Sequence, residues 1–344
     1  PLQIDRTVKV LVPSGALGLG FDQDALARGI ALKPDIICID GGSTDSGPFY
    51  LGTGTSKYSR AATKEEWGRL MLARAEAGVP LVIGTAGTCG TDSTVDWMLE
   101  MTRELAQQFG QRLKVATLYS EQPAERVTAA LEAGRVQPLS PAPEISDALL
   151  ESCSHIVALA GAEQIAAALE TGADIVLAGR TTDTATISAL PLMHGDHAGA
   201  AWHGAKVAEC GALCSTNPLS GVVVVEFDAE GFEITPMAEG ACCVPHTVSA
   251  HMLYENSDPF LLYEPGGHLD VTEARYAAVD ERTVRVTGSQ WVPAERYTVK
   301  LEGARIGGYQ TVILATLRDA RYVANARQWA EKLTQRLYAD VERR

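Results

Sequence analysis

The chain has 344 residues, 46 % of them hydrophobic and 21 % charged, a globular composition long enough for two domains or one large α/β domain. Acidic residues number 43 against 29 basic ones, so the formal charge is −14, a field that repels phosphate backbones and anionic bilayers and argues against nucleic acid and membrane as partners. No apolar run reaches the ~20 residues of a membrane-crossing helix and no signal peptide opens the chain, whose first residues, Pro1-Leu2-Gln3-Ile4-Asp5, read as a trimmed start.

From the N-terminus, short β-rich runs at 8–12, 35–39, 80–83, 114–118, 155–159 and 174–177 alternate with helical patterns at 64–77, 94–109, 124–133 and 163–170. Gly78, Gly110, Gly134 and Gly172 sit where helix C-caps need a left-handed residue. Near-continuous apolar strands separated by helices predict an α/β fold with a parallel, doubly wound sheet over residues 1–215. Beyond that point the runs 222–227 and 232–236 flank Asp228-Ala229-Glu230-Gly231 as a hairpin. Further strands are expected at 283–286, 297–301 and 309–315, and a helix at 321–341, giving residues 216–344 as a smaller antiparallel α+β domain packed on the first. Seven cysteines, an odd number scattered through apolar stretches, argue against a disulfide scaffold and for a reducing cytoplasm.

The turns after the strands carry the chemistry. Pro13-Ser14-Gly15-Ala16-Leu17-Gly18-Leu19-Gly20 follows the first, Asp40-Gly41-Gly42-Ser43-Thr44-Asp45-Ser46-Gly47-Pro48 the second and Gly84-Thr85-Ala86-Gly87-Thr88-Cys89-Gly90-Thr91-Asp92 the third. The run at 174–177 leads into Ala178-Gly179-Arg180-Thr181-Thr182-Asp183-Thr184. In an open parallel sheet these turns converge on one edge, where ligands bind. Their glycines permit close backbone approach, and Ser14, Ser43, Thr44, Thr88 and Thr181 add hydroxyls beside Gly15, Gly42 and Gly87. Any one such turn is equally explained by the ordinary needs of a βα unit. The dinucleotide fingerprint fails, because Gly15, Gly18 and Gly20 run in the reverse spacing.

A second concentration, Ala201-Trp202-His203-Gly204-Ala205-Lys206-Val207-Ala208-Glu209-Cys210-Gly211, places His203, Lys206 and Cys210 on one stripe if helical, with Glu209 beside Lys206. Lys206, Glu209 and His203 suit acid–base work, and Cys210 a nucleophile if its pKa were depressed. A surface ion pair beside a small buried cysteine explains the same residues. Asp45, Asp92 and Asp183 are candidate general bases or ligands of a hard cation such as Mg2+; as single residues each is equally a turn former. No zinc-spaced motif occurs, so no metal site is assigned. His194 and His197 read as a solvent loop, and Glu264-Pro265-Gly266-Gly267-His268 as a loop or a lid.

Taken together, Asp40–Pro48, Gly84–Asp92, the Ala178-Gly-Arg-Thr-Thr-Asp183 turn and the His203-Gly-Ala-Lys-Val-Ala-Glu-Cys-Gly211 segment resemble the acyclic terpene utilisation (AtuA) family. Tyr254-Glu-Asn-Ser-Asp-Pro259 and Val299-Lys-Leu-Glu-Gly-Ala304 look similar too. The resemblance implies a catabolic setting with branched carboxylic acids or their acyl-CoA thioesters, and a further C-terminal portion, trimmed here or supplied by a small partner subunit. It assigns no catalytic residue. The expectation is a cytoplasmic, homo-oligomeric lyase, hydratase or isomerase without a redox cofactor. Arg180 would clamp the substrate carboxylate, and Lys206, Glu209 and Asp45 or Asp183 would move the proton. A non-catalytic binding or scaffold subunit and a hydrolase working through Cys210 are the alternatives.

Overall fold

A computed structural model describes residues 7–343, so the reading of the first five residues lies outside it. The chain divides into two units after Ile306. In the first unit the strands are β1 (Val8–Val12), β2 (Ile36–Asp40), β3 (Leu81–Gly84), β4 (Val115–Leu118), β5 (His155–Ala158), β6 (Ile175–Ala178) and β7 (Val223–Phe227). They continue with β8 (Gly231–Pro236), β9 (Leu261–Glu264), β10 (Gly267–Asp270), β11 (Arg275–Ala278), β12 (Val284–Thr287), β13 (Gln290–Pro293) and β14 (Leu301–Ala304).

Nine of them form one mixed sheet in the order β11-β12-β8-β7-β1-β2-β3-β6-β4. The stretch from β1 to β4 is parallel, as the βα alternation requires, and β7, β8, β12 and β11 extend it in antiparallel fashion beyond β1. Val10, Ile36, Cys38, Val82 and Val176 point into one apolar core, and Leu11, Ile37, Ile39, Ile83 and Leu177 into another. Both faces are therefore buried, which is why these strands read as unbroken apolar runs rather than alternating ones. Trp67 and Met98, from the helices Arg60–Ala77 and Asp92–Phe109, fill the second core, while Trp202 and Val207, from the helix Ala198–Ala208, fill the first. The two former helices start with Ser59 and Thr91 as side-chain N-caps and stop at left-handed Gly78 and Gly110, where an L-residue would be strained.

Several expectations need correction, and the strand expected at 297–301 begins only at Leu301, as β14. The run at 155–159 does form a strand, β5, but it leaves the main sheet and pairs antiparallel with β14. Its alternate residues explain this: Ile156 packs with Val127 and Leu150, and Val157 with Leu51, Cys89 and Ala304, in two small clusters apart from the main cores. The expected strand at 309–315 is absent, because residues 305–318 are neither helix nor strand. The final helix is two helices, Ala320–Ala324 and Ala326–Val341, interrupted at Asn325, whose side chain bonds the carbonyl of Arg321 instead of continuing the helix. The segment 264–268 is no free loop: it forms the tight turn of β9–β10, which with β13 makes a separate three-stranded sheet. His194 closes the helix Ala185–His194, and His197 caps the next one by accepting from the amide of Ala200 at 3.3 Å. Among the described residues no helix is long and apolar enough to cross a membrane, and all seven cysteines are free.

Candidate active site at the strand ends

The carboxyl ends of β2, β3 and β6 are laced together by main-chain hydrogen bonds. The amide of Gly41 donates to Gly84 (2.7 Å), Thr85 to Gly179 (2.9 Å), Thr88 to Gly41 (3.0 Å) and Arg180 to Gly90 (3.0 Å). Such lacing leaves no room for side chains on the inner turns. A Cβ on Gly90 would lie 2.2 Å from the backbone nitrogen of Arg180, and one on Gly42 would lie 2.9 Å from the Cα of Thr88. The glycines of these turns are thus accounted for by the contact of turn with turn. Gly15 brings in a fourth segment, since its Cβ position is 3.1 Å from the Cα of Cys210.

Arg180 is the hub, with 5 % of its surface exposed. Its Nε donates to Glu302 at 3.0 Å, its Nη1 to the hydroxyl of Thr85 at 3.2 Å and to the carbonyl of Thr181 at 3.0 Å, and its Nη2 to Thr44 at 3.3 Å. Asp183 lies 3.5 Å away. Glu302 also accepts from Thr44 at 2.8 Å and pairs with Lys300 at 2.8 Å. The planar fork expected to grip a substrate carboxylate is therefore filled by the chain's own carboxylate, brought from β14. Burial alone would raise the carboxyl of Glu302, but the guanidinium of Arg180 outweighs it and holds the pKa down to about 2.

A second buried group lies at the C-terminal end of the helix Ala198–Ala208. Lys206, in its last turn, bonds the carboxylate of Glu209, the residue that caps it. Burial disfavours the ammonium of Lys206, yet Glu209 more than offsets this and the net shift is upward. Burial dominates at Glu209 itself and pushes it up to about 8 against the pull of Lys206. Asp183 is raised for the same reason and faces Arg180 and Lys206 electrostatically, which ties the two groups into one field. Asp40 is raised by burial first and by Asp183 second. Glu264, at the end of β9, is held at about 7 by burial; its Oε1 accepts from Thr184 at 2.5 Å, while its buried Oε2 has no partner. Carboxyl groups poised near neutral pH beside a fixed ammonium suit the donation and acceptance of protons.

Of the residues singled out from sequence, Lys206, Glu209, Asp183, Arg180, Thr44 and Thr181 share this region. Ser14 is buried in the first turn. Ser43 caps the short turn 44–46 by accepting from the amide of Asp45 at 3.0 Å, and Thr88 accepts from the amide of Lys57 at 3.0 Å. Asp45 is exposed and reaches the cluster through its field on Asp183. His203 is not in the cluster. It is fully buried between Ser289 (2.7 Å) and the hydroxyl of Tyr276 (3.2 Å), and burial pulls its pKa down to about 3, so it packs as a neutral ring. The single stripe with Cys210 also fails, because the helix ends before that residue. Burial, then the charge of Glu209, drive the Cys210 thiol upward, the opposite of what a nucleophile needs. Asp92 stands apart, accepting from the amide of Glu121 at 3.2 Å, and Glu121 meets His155 at 2.6 Å. Among the described residues, no group of three or more His, Cys, Asp or Glu is placed to hold a metal ion.

Glu302 and Glu264 join the cluster from the 299–304 and 264–268 segments, and no local pattern in the sequence marks either as a member. The same holds for His251, whose Nε2 is buried without a partner and whose pKa burial lowers to about 4, with Lys206 adding to the effect. A model of the acyclic terpene utilisation family, AtuA, matches residues 55–344, so the chain belongs to that family. No curated protein and no solved structure matches it.

Proposed function

We propose that this member of the acyclic terpene utilisation family is a catabolic enzyme that abstracts and returns a proton beside the carbonyl of a branched carboxylic acid or its acyl-CoA thioester. Lyase, hydratase and isomerase reactions all share that step. The observation that supports the reading is the buried pair Lys206 and Glu209 beside the half-buried Asp183 and Glu264, in which two carboxyls are poised at about 8 and about 7. A carboxylate of this set takes the α-proton and becomes a carboxylic acid; the ammonium of Lys206 faces the negative charge that develops on the substrate oxygen. Glu209, whose carboxyl burial holds above its ordinary range, shares a proton with Lys206 across their hydrogen bond and returns it to the substrate. The turns carrying Ser14, Gly15, Gly42, Ser43, Thr44, Gly87, Thr88 and Thr181 hold the acid or thioester end, with Asp45 at the exposed rim. Arg180, already paired with Glu302, acts here as a positioning residue that fixes Thr44, Thr85 and Asp183.

Hydrogen–deuterium exchange at the α-carbon tests this without knowledge of the complete reaction. A panel of methyl-branched acyl-CoA thioesters and their free acids is incubated with the chain in D2O and read by mass spectrometry. Wild type exchanges at least one of them, and Asp183→Asn, Glu209→Gln and Lys206→Met each lower the rate by about 10²–10⁴-fold, the usual span for a lost acid–base group. Undiminished exchange in all three variants, or none by wild type, overturns the proposal.

A further inference from the structure

Two features of the chain are unpartnered, and each has the form the other needs. The first is the β4 edge of the nine-stranded sheet, whose other terminal strand is β11. Among the described residues β4 hydrogen-bonds a strand on one side only, β6. Beside it runs a groove of about 560 Å3, lined by Leu99, Thr102 and Ala106 of the helix Asp92–Phe109 and by Leu113, Val115 and Thr117 of the edge. The spacings decide what this groove is. Residues 99, 102 and 106 form one helical stripe and 113, 115 and 117 one strand face, so the second apolar core continues to the rim without a cover. The acceptor Oε1 of Gln111, in the same groove, is buried without a partner. Natural edge strands are usually blunted by charge, proline or a covering element; Val115 and Thr117 on the groove face of β4 supply none of these, and the charge in the groove is Arg103 of the facing helix.

The second feature lies in the unit that begins at Gly307. Its segment Tyr309-Gln310-Thr311-Val312-Ile313-Leu314-Ala315 is rich in β-branched and apolar residues, yet unpaired. Tyr309, Val312 and Leu314 are 99 %, 81 % and 97 % exposed. The helix that follows buries nothing, although Trp329, Leu333, Leu337 and Val341 repeat every fourth residue along it. Charge separates the two units as well. Seven basic and four acidic residues after Ile306 make this unit +3, so the 306 residues before it carry −17 of the chain's net −14. Opposite charge of that size favours encounter between the basic unit of one molecule and the acidic body of another.

We propose that the segment 309–315 of one copy of this chain adds as a strand to the free edge of β4 in a second copy, the exchange being reciprocal and the product a closed two-fold dimer. Strand addition satisfies the unpaired amides and carbonyls of the edge, and alternate apolar side chains enter the groove. Reciprocity follows because each copy owns one such groove-backed edge and one such segment, so exchanging both about a two-fold axis fills both grooves and uses both segments.

Analytical ultracentrifugation of the full chain across the micromolar range tests this, with wild type sedimenting at twice 36.6 kDa. Ile313→Pro removes one main-chain donor from a segment that has no regular structure of its own; it weakens association by at least about tenfold, whereas Ile313→Val does not. Leu113→Glu in the groove has the same effect as the proline. Mixing the Ile313→Pro and Leu113→Glu chains restores part of the dimer, because one intact segment then meets one intact edge. Hydrogen exchange on wild type gives a readout independent of any variant: amides of 309–315 exchange more slowly as concentration rises. A monomeric wild type, unchanged association in Ile313→Pro, or exchange at 309–315 independent of concentration overturns the proposal.

Discussion

Replacing Glu302 by glutamine tests the role of the internal carboxylate directly. The change keeps the shape and the acceptor oxygen but removes the charge that faces Arg180 at 3.0 Å and Lys300 at 2.8 Å. The side chain of Arg180 is only 6 % exposed and that of Glu302 11 %, so solvent screens the pair weakly. The pKa of Glu302 is lowered from 4.5 to about 2, and at 1.36 kcal/mol per unit this corresponds to about 3 kcal/mol of coupling between its charge and the fold. Removing one partner of a buried pair typically costs 3–5 kcal/mol, because the other charge is left uncompensated, so both routes give about 3 kcal/mol at pH 7. The dependence on pH has a definite sign. A folded-state pKa below the unfolded one means that the charge of Glu302 stabilises fully above about 4.5 and ceases to do so as pH falls toward 2. Urea titrations of both chains at a series of pH values, followed by circular dichroism, therefore show a gap of about 3 kcal/mol at neutral pH that closes in acid. Using the difference between the chains removes the opposing contribution of the other buried carboxyls. A gap below about 1 kcal/mol at pH 7, or one that widens in acid, refutes the assignment of Arg180 to an internal partner.

Glu209 predicts the opposite trend: its pKa, raised to about 8, makes the folded state the better proton binder, so its contribution is present below about 4.5 and is lost as pH rises through 8. Glu209→Gln is accordingly expected to gain in melting temperature relative to wild type from pH 5 to pH 9, and a constant offset would contradict the shift. Gly90→Ala places a methyl group 2.2 Å from the backbone nitrogen of Arg180 at φ +65 and should cost several kcal/mol in denaturant titrations. Gly134→Ala, at φ +68 with nothing within 4 Å, should cost only about 1–2 kcal/mol, and equal losses would show that turn contact is not the constraint. Cys210 is expected to react with a thiol-selective reagent at pH 8 more slowly than free cysteine, read by peptide mass spectrometry; faster labelling would restore it as a candidate nucleophile.

Much of the fold can be read from local pattern. The parallel strands β1, β2, β3, β4 and β6, the β7–β8 hairpin, and the capped helices at 60–77 and 92–109 follow from apolar runs, turn residues and caps, all of which act within a few residues along the chain. The family resemblance is likewise a property of the sequence, and the match over residues 55–344 agrees with it. The Lys206–Glu209 pair was legible because three residues along a helix place two side chains on one side.

What the sequence could not decide depends on contacts between segments far apart in the chain. β5 reads like its parallel neighbours, and only the two small clusters that Ile156 and Val157 enter take it out of the main sheet. Segment 309–315 has every local mark of a strand, but a strand needs a partner's amides and carbonyls, which no local pattern supplies. His203 and Lys206 are three residues apart, yet one is sealed against Ser289 and Tyr276 while the other faces Glu209 and Asp183. Arg180 has the chemistry of a substrate clamp; that Glu302, 122 residues away, already fills its fork is decided by the pairing of β14 with β5. Local sequence determines which groups are available, whereas charge pairing and burial act through space and determine which of them are free to meet a ligand.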